Sequence, residues 1–292
     1  TYIKENKIKN FDSADNGNEN LRCWNLAVLV SKIQRNLNFT EFFSLPDCEN
    51  GQITERYSAN WVDISRSGGR IIFDDKENLI ITTGGFGSLT KPQDKENTFG
   101  KILSINSNTK EYKVISMGHR NPQGLFYNNI NKFFISTEHG PVGGDEINVI
   151  FETLGNNIPN YGWPIASYGE HYPTSISDKV LELAPLHKSH KDYGFVEPTK
   201  YYTPSIAPSQ VIQINRETND FLLVSLGHNP ENGAESIFNL KLTNNFANID
   251  TKNIIHVGER IRDIIRIQDT NYFLMILDTT PSLGLIEIND ID

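Results

Sequence analysis

The 292-residue chain is long enough for one large all-β domain or for two ordinary domains. Its hydrophobic content of 37% and charged content of 22% allow a buried core and exclude a disordered chain. Its 36 acidic and 27 basic residues give a net charge of −9, which argues against a nucleic-acid backbone or an anionic membrane surface as the partner.

The N-terminal region is predicted to contain a polar loop followed by a β-hairpin. Residues 5–22 are polar, and Asp12–Asn18 is typical of a loop. Apolar residues then predict one strand over Asn25–Ile33 and a second over Phe39–Leu45. The two strands form the remainder of a first unit that lacks its leading strands.

The two cysteines, Cys23 and Cys48, lie at the two ends of this hairpin. Neither belongs to a C-x-x-C pair, so a zinc site has no support. A disulfide in an exported protein is the favoured interpretation, and two buried thiols are the alternative. No stretch reaches the ~18 apolar residues of a membrane span, and Thr1 opens the chain without a visible signal peptide. We therefore expect a mature or truncated product that acts in the periplasm or outside the cell.

A four-strand pattern repeats along the rest of the chain. The first repeat has candidate strands at Arg70–Phe73, Leu79–Thr83, Gly100–Ile105 and Tyr112–Ser116. The second repeat has Gln123–Tyr127, Lys132–Thr137 and Glu146–Ile150. The third has Gln210–Ile214, Asp220–Ser225, Ser236–Leu242 and Ile254–Val257. The last has Asp263–Ile267, Tyr272–Leu277 and Gly284–Ile288. This repeat is typical of β-propeller blades and predicts an all-β propeller of four-stranded blades as a single domain over residues 1–292.

The number of blades is left open by the repeats. Four clear units and the partial N-terminal one make about five recognisable blades. The ring would close with these five, or it would need a further blade from residues upstream of Thr1. The N-terminal blade is expected to be incomplete.

An aromatic-rich insertion at about 155–204 interrupts the repeats. Its aromatic residues include Trp163, Tyr168, Tyr172, Tyr193 and Tyr201. Such an insertion would form a wall for a polar-ring ligand, or its rings would only pack the insertion onto the propeller. Its one candidate helix, over Ser177–Ala184, is short.

The segment Glu138–Glu146 is the strongest local signal for a site. It joins two strand candidates and contains three glycines, one proline and three carboxylates. Glycine lets the backbone approach a ligand closely, and carbonyl and carboxylate oxygens suit a hard cation such as Ca²⁺. The acids do not follow the spacing of an EF-hand, so an ordinary hairpin with a solvated acidic end is the alternative.

Six ordered motifs between Gly68 and Ile288 resemble those of the soluble aldose sugar dehydrogenases that depend on pyrroloquinoline quinone (PQQ), in the glucose/sorbosone dehydrogenase family. The motifs are Gly68–Arg70, Gly118–Leu125, Glu138–Glu146, Asn160–Pro164, Pro204–Ser209 and Glu259–Asp263. The resemblance implies a six-bladed propeller that binds PQQ and Ca²⁺ at one end of its axis and oxidises aldose sugars to lactones.

The resemblance also assigns residues to the cofactors. Gly140 and Pro141 would offer backbone oxygens to Ca²⁺, and Asp145 corresponds to an acid of the calcium region. Arg120 would face the reactive carbonyl of the quinone, with Asn121 beside it. Two further arginines, Arg260 and Arg262, would pair with cofactor carboxylates. A cation and forked guanidinium donors suit a planar tricarboxylate such as PQQ.

Three positions depart from the family pattern. The family uses a histidine base, oriented by an aspartate, to take a proton from the sugar hydroxyl while hydride passes to the quinone. Arg66 stands at the histidine position, and Gly85 stands at the aspartate position. Gly227 replaces a lysine that contacts the cofactor. Because an arginine stays protonated, Arg66 cannot serve as the base.

Two functional hypotheses follow. The first is a quinoprotein sugar dehydrogenase, in which Arg120 is the remaining catalytic candidate. The second is a non-catalytic member of the family that keeps the propeller as a binding or structural module. Hydrolase and nucleotide-dependent functions have no support, because no G-x-S-x-G, P-loop or dinucleotide fingerprint is present.

Overall fold

The structure, a computed structural model, describes residues 1–7, 22–50, 62–151, 157–173 and 176–288. The polar loop predicted over Asp12–Asn18 lies outside these residues. The described chain is almost entirely β-structure, as the sequence predicts. Its one α-helix, α1 (Asp178–Leu183), lies within the predicted helical segment Ser177–Ala184 and begins after the capping side chain of Ser177.

The strands form five antiparallel sheets in chain order. The first sheet contains β1 (Tyr2–Lys7), β2 (Arg22–Val30), β3 (Thr40–Ser44) and β4 (Glu49–Asn50). The second contains β5 (Gly68–Phe73), β6 (Leu79–Thr83), β7 (Lys101–Ile105) and β8 (Tyr112–Met117). The third contains β9 (Pro122–Asn128), β10 (Phe133–Glu138), β11 (Asp145–Phe151) and β12 (Lys200–Tyr202). The fourth contains β13 (Pro208–Gln213), β14 (Asp220–Ser225), β15 (Ser236–Leu242) and β16 (Ile249–His256). The fifth contains β17 (Ile261–Arg266), β18 (Tyr272–Leu277) and β19 (Ser282–Glu287).

The sheets stack face to face because apolar side chains fill each space between them. One core cluster joins the first and second sheets, with Leu26 and Val28 against Ile81 and Leu103. Equivalent clusters lie between the second and third, the third and fourth, and the fourth and fifth sheets. The middle strands β6 and β7 are buried along their whole length, which explains their continuous apolar sequence. This radial stacking of four-stranded sheets is that of a β-propeller.

The predicted N-terminal hairpin is confirmed and completed by two strands that the sequence did not indicate. Val28 of β2 pairs with Phe43 of β3. The additional strands are β1, which pairs along the other edge of β2, and the two-residue β4. A disulfide joins Cys23 and Cys48. The first sheet therefore contains four strands among the described residues, and the incompleteness of the N-terminal blade remains a prediction.

The described residues form five sheets, so a sixth blade, which the resemblance implies, is not found among them. The fifth sheet has three strands, and its outward face exposes Ile265, Ile276, Leu283 and Leu285.

Within the same described ranges, no helix is long and apolar enough to cross a membrane.

The inner strands β5, β9, β13 and β17 pack against one another around the axis. The side chain of Arg70, on β5, connects them. Its Nε donates to Gln123 O on β9 at 3.0 Å, and its Nη2 donates to Ser209 O on β13 at 3.4 Å. Its Nη1 forms an ion pair with Asp263 Oδ2 on β17 at 2.6 Å. One guanidinium thus holds four blades in register.

Candidate functional site

A cavity of about 620 Å³ lies at the end of the propeller where the inner strands begin. Its walls come from the segments that precede β5, β9 and β13 and from the loop between β10 and β11. Because the inner strands run in the same direction, the segments that precede them meet at one end of the axis. The charged lining residues are Asp63, Arg66, Arg120 and Asp145, with Asn121, His139 and Tyr172 beside them. This volume is in the range of small-molecule sites.

The loop between β10 and β11 forms a rigid wall of this cavity. Gly143 and Gly144 take positive φ values of 77° and 68°, which favour glycine. A β-carbon at Gly140 would lie 2.3 Å from the carbonyl oxygens of both Gly143 and Gly144. The loop is therefore folded so tightly that only glycine fits at position 140.

Asp145 fixes this loop to the segment before β13. Its Oδ1 accepts a hydrogen bond from Gly140 N at 2.9 Å and one from Ser205 Oγ at 3.3 Å. Its Oδ2 accepts from Ile206 N at 2.8 Å and from Ala207 N at 2.7 Å. Because four donors already contact this 1% exposed carboxylate, its clearest role is to support the loop. Its assignment to the calcium region remains a prediction.

Arg120 is a buried cation with no carboxylate partner among the described residues. Its side chain is 5% exposed, and its Nη1 donates to His139 O at 2.7 Å. The guanidinium lies 5.3 Å from the Trp163 ring and forms a hydrogen bond with the Tyr172 side chain. Its buried Nε has no hydrogen-bond partner. Burial, and then the charge of Arg66, lower the pKa of Arg120 to about 10.

Asn121 connects two segments of the cavity wall. Its Nδ2 donates to Ser65 O at 3.2 Å, while its Oδ1 accepts from Gly68 N at 3.2 Å. The same Oδ1 accepts from Gln123 Nε2 at 2.9 Å. Asn121 thus holds the segment that carries Arg66 in a fixed position beside β9.

Arg66 forms an ion pair with Asp63, a residue outside all six motifs. Its Nε lies 2.7 Å from Asp63 Oδ2. Asp63 Oδ1 accepts hydrogen bonds from the backbone N, at 3.1 Å, and the hydroxyl of Ser65. The signal available in the sequence was Asp-x-Ser, which is typical of a capped turn. Asp63 therefore supplies a buried carboxylate beside Arg66 at the cavity wall.

Gly85 contributes only backbone to this region. Its N–H donates to Arg120 O at 2.9 Å. A β-carbon there would lie 3.3 Å from Pro92 Cγ, a tight but adjustable contact. Gly227 is more restricted, because a β-carbon would lie 2.7 Å from Ala234 Cβ and 2.9 Å from Ile206 O. A lysine at position 227 would not fit this packing.

Arg260 and Arg262 are not among the residues that line the cavity. Arg260 Nε and Arg262 Nη2 both lie 3.2 Å from Asp278 Oδ2, and Arg260 Nη1 also contacts His228 Nε2. Arg262 lies close enough to His139 that its charge contributes to lowering the pKa of His139, after burial as the main cause. The role of both arginines in binding cofactor carboxylates remains a prediction.

A buried polar cluster supports the cavity from behind. His119 Nδ1 lies 3.1 Å from Glu138 Oε1, and Asn148 Nδ2 contacts Glu138 Oε1 at 3.1 Å and Glu146 Oε2 at 3.2 Å. Burial alone would raise the pKa of Glu138, but His119 and the backbone N–H of Arg120 outweigh it and lower that pKa. Burial and the charge of Glu138 raise the pKa of Glu146 well above its usual value. Because its ring is fully buried and its two nitrogens contact Ser116 Oγ and Glu138 Oε1, His119 has a structural role.

Some aromatic residues of the insertion lie at the cavity, and others pack the insertion onto the propeller. Tyr172 lines the cavity, and Trp163 contacts Arg120. By contrast, Tyr168 stacks on Tyr201 with ring centroids 3.8 Å apart, and Tyr161 is 2% exposed. Part of the insertion thus forms a wall of the cavity, and the rest packs on the propeller.

The cavity fits an acidic planar ligand better than a bare metal ion. Among the described residues, no three His, Cys, Asp or Glu side chains are placed to hold a metal. The carbonyls of Gly140 and Pro141 would supply only two of the six to eight oxygens that Ca²⁺ takes. A cation would therefore need further oxygens from a bound ligand and water, whereas Arg120, with its unpartnered Nε, suits an anion directly.

The fold and this cavity define a β-propeller protein with a polar ligand cavity at one end of its axis. The family model for glucose/sorbosone dehydrogenases matches residues 52–283. The chain therefore belongs to the glucose/sorbosone dehydrogenase family, which confirms the resemblance seen in the sequence.

Individual relatives agree with this assignment. The chain is 28% identical over 233 residues to an uncharacterised Synechocystis protein, covering 71% of this chain and 52% of that protein. It is 36% identical over 118 residues to the aldose sugar dehydrogenase YliI of Escherichia coli, covering 36% of this chain and 30% of that enzyme. The chain thus spans about half the length, or less, of these relatives.

Solved structures share the fold. The apo-form of the E. coli soluble aldose sugar dehydrogenase matches with a TM-score of 0.65 and 21% identity, covering 91% of this chain and 76% of that one. The PQQ-bound aldose sugar dehydrogenase of Streptomyces coelicolor matches with a TM-score of 0.57 and 21% identity, covering 91% and 67%.

Proposed function

We propose that this chain is a quinoprotein of the aldose sugar dehydrogenase type, which binds PQQ together with Ca²⁺ in the axial cavity. One observation carries the proposal. Arg120, Asn121, Gly140, Pro141 and Asp145, which the resemblance assigns to the two cofactors, come from separate segments and line one cavity. The relatives support the proposal, because one of the similar structures is a PQQ-bound enzyme.

The residues have distinct roles in this proposal. Arg120 would hold the quinone edge with its guanidinium, fixed by His139 O and the Trp163 ring. The carbonyls of Gly140 and Pro141 would hold the cation. A bound PQQ would supply the acceptor for the hydride of a sugar substrate. Asp145 would act through the loop that it supports, since a small displacement of bound reactants lowers the rate strongly.

A second function, a ligand-binding propeller without turnover, is favoured by the Arg66–Asp63 ion pair. The pair occupies the region where the family has its proton acceptor, and Arg66 stays protonated near neutral pH. The cavity would then hold the cofactor or a similar acid without oxidising a sugar.

Reconstitution separates the two functions. Purified protein would be mixed with PQQ and Ca²⁺, and the bound quinone spectrum and aldose-driven dye reduction would be measured. Binding with turnover supports the dehydrogenase, and binding without turnover supports the second function. If no quinone binds, both cofactor assignments are wrong.

The compartment is also a proposal. The disulfide between Cys23 and Cys48 supports a periplasmic or extracellular location, because such bonds persist in oxidising compartments. A comparison of free-thiol reactivity in protein from the periplasm and from the cytoplasm would test it. Unreactive cysteines in the periplasmic sample alone are the expected result.

A further inference from the structure

The cations expected to neutralise an acidic ligand are not at the cavity wall. Packing against Ala234 leaves no room for a lysine at position 227, and Arg260 and Arg262 contact Asp278 instead of lining the cavity. A planar tricarboxylate nevertheless needs cationic partners, because a buried carboxylate without one is costly. The charge must therefore be supplied from another position.

Two guanidinium groups do line the cavity, those of Arg66 and Arg120. Tyr172 lies between them, since the Arg66 guanidinium is 5.9 Å from its ring and Arg120 bonds to its side chain. The two positive charges are close enough that Arg66 contributes to the lowered pKa of Arg120. A negative charge in the cavity would relieve this repulsion.

The guanidinium of Arg66 is held in one orientation, and it cannot accept a proton because it stays charged. Its contact with Asp63 Oδ2 is made through Nε at 2.7 Å and fixes the orientation of the planar group. Asp63 is itself fixed by Ser65 and is 7% exposed. An oriented guanidinium loses little entropy when it binds a carboxylate.

We propose that Arg66 is a ligand-binding residue that, together with Arg120, forms a two-guanidinium clamp on the acidic ligand of this cavity. Arg66 thus supplies charge where the family has a proton acceptor. The inference rests on the proposed function where the ligand is PQQ, but the clamp would also bind other planar polycarboxylates.

The test is a binding titration of the full chain with two probes, PQQ with Ca²⁺ and benzene-1,3,5-tricarboxylate. Quinone absorbance and the fluorescence of Trp163, beside Arg120, report binding. The variants are Arg66→Gln, which keeps a donor for Asp63 but loses the charge, and Arg66→Lys, which keeps the charge but loses the fork. Arg216→Ala is the charge-matched control, because Arg216 is exposed and lines a different groove.

We expect Arg66→Gln to weaken binding of either probe by about 10-fold or more, as for a lost charge-assisted hydrogen bond. Arg66→Lys should weaken it less, and Arg216→Ala should not change it. If Arg66→Gln proves unstable, the double variant Asp63→Asn/Arg66→Gln removes both charges of the ion pair together and takes its place.

The two probes separate this inference from the proposed function. PQQ binding that is unchanged by Arg66→Gln overturns the clamp and leaves the proposed function intact. Arg66-dependent binding of the tricarboxylate without binding of PQQ supports the clamp and contradicts the proposed function. If the wild-type chain binds neither probe, both are wrong.

Discussion

The two sides of the axial cavity differ in how their residues are held. On one side, the support wall (Arg120, Asn121, Gly140, Pro141 and Asp145) is fixed by backbone hydrogen bonds and by close packing of glycines. On the other, the Arg66 wall (Asp63, Ser65 and Arg66) is held by an ion pair and a short turn. The support wall carries residues that the resemblance assigns to the cofactors, and the Arg66 wall carries a position that departs from it.

The comparison of the two walls shows that their backbone is fixed by the fold, whereas some of their side chains are not. The backbone of the Arg66 wall is as constrained as the support wall, since Arg66 O accepts from Phe86 N at 3.1 Å. A β-carbon at Gly84 would lie 2.0 Å from that same oxygen. The side chain of Arg66, however, is partly exposed, and a β-carbon added at the neighbouring Gly85 meets Pro92 Cγ only at 3.3 Å, so both positions can change without unpacking a core. The Arg66 wall can therefore change its side chains while the propeller remains intact.

The largest expected effect comes from rebuilding the proton acceptor with Arg66→His and Gly85→Asp together. Gly85 does not have a positive φ, and its added β-carbon needs only a small shift of Pro92. A general base contributes ~10²–10⁴-fold, so aldose-driven dye reduction at saturating PQQ should rise by about 100-fold or more. Each single variant is the control. No gain in a double variant that still binds PQQ would show that the base is not the missing element.

The support wall should respond to Asp145→Ala with a large loss of stability. The change leaves the N–H groups of Gly140, Ile206 and Ala207 without their acceptor. At ~1–3 kcal/mol for each of the three buried unsatisfied groups, we expect a loss of at least about 3 kcal/mol in the free energy of unfolding by urea. Asp250→Ala, at an exposed position, is the matched control. A loss below about 1 kcal/mol would contradict the role of Asp145 as the support of the loop.

The free energy of unfolding should depend on pH above pH 8 because of Lys101, whose contacts support the segment next to the Arg66 wall. Its Nζ donates to the carbonyls of Lys91, Pro92 and Phe99, and Pro92 packs on Gly85. Burial lowers the pKa of Lys101 to about 8 from 10.5. Because the unfolded chain then binds more protons, this residue adds stability as pH rises from 8 toward 10.5, by at most ~3 kcal/mol.

The variant Lys101→Met isolates this effect. It lacks the titrating group and also leaves three carbonyls without a donor, so it should be less stable than the wild type at pH 7. The difference in unfolding free energy between the two proteins should grow between pH 8 and 10. A constant difference would contradict the lowered pKa.

The smallest effect is expected from Tyr172→Phe, at the junction of the two walls. The hydroxyl that bonds Arg120 and donates to Pro141 O at 3.4 Å is lost, while the ring near Arg66 remains. A lost hydrogen bond of ~0.5–1.5 kcal/mol corresponds to a roughly 2- to 10-fold weaker binding of PQQ. A loss as large as that of Arg66→Gln would mean that Tyr172, and not the guanidinium pair, dominates binding.

The sequence predicted the propeller because its repeats are local. Strands such as Leu79–Thr83 are continuous apolar runs bounded by turn residues, and the structure reproduces that strand with the same ends. It missed β1 and β12, which are recognisable only from their partners. Strand β12 follows a long insertion before it pairs with β11, a contact of high sequence separation.

The site was predicted only in part, for a physical reason. The motifs identified Arg120 and the loop of Gly140, whose backbone geometry depends on residue type. Nothing in the order of residues showed that Arg66 pairs with Asp63 or that Arg260 turns toward Asp278. Such ion pairs depend on side-chain directions at the ends of neighbouring strands.

The most direct test of the whole account is the structure of the protein crystallised with PQQ and Ca²⁺. We expect the quinone in the axial cavity with a carboxylate or carbonyl oxygen within 3.2 Å of both Arg66 and Arg120, which is hydrogen-bond distance. The cation should contact the carbonyls of Gly140 and Pro141. A quinone bound elsewhere, or one in the cavity without a contact to Arg66, would contradict it.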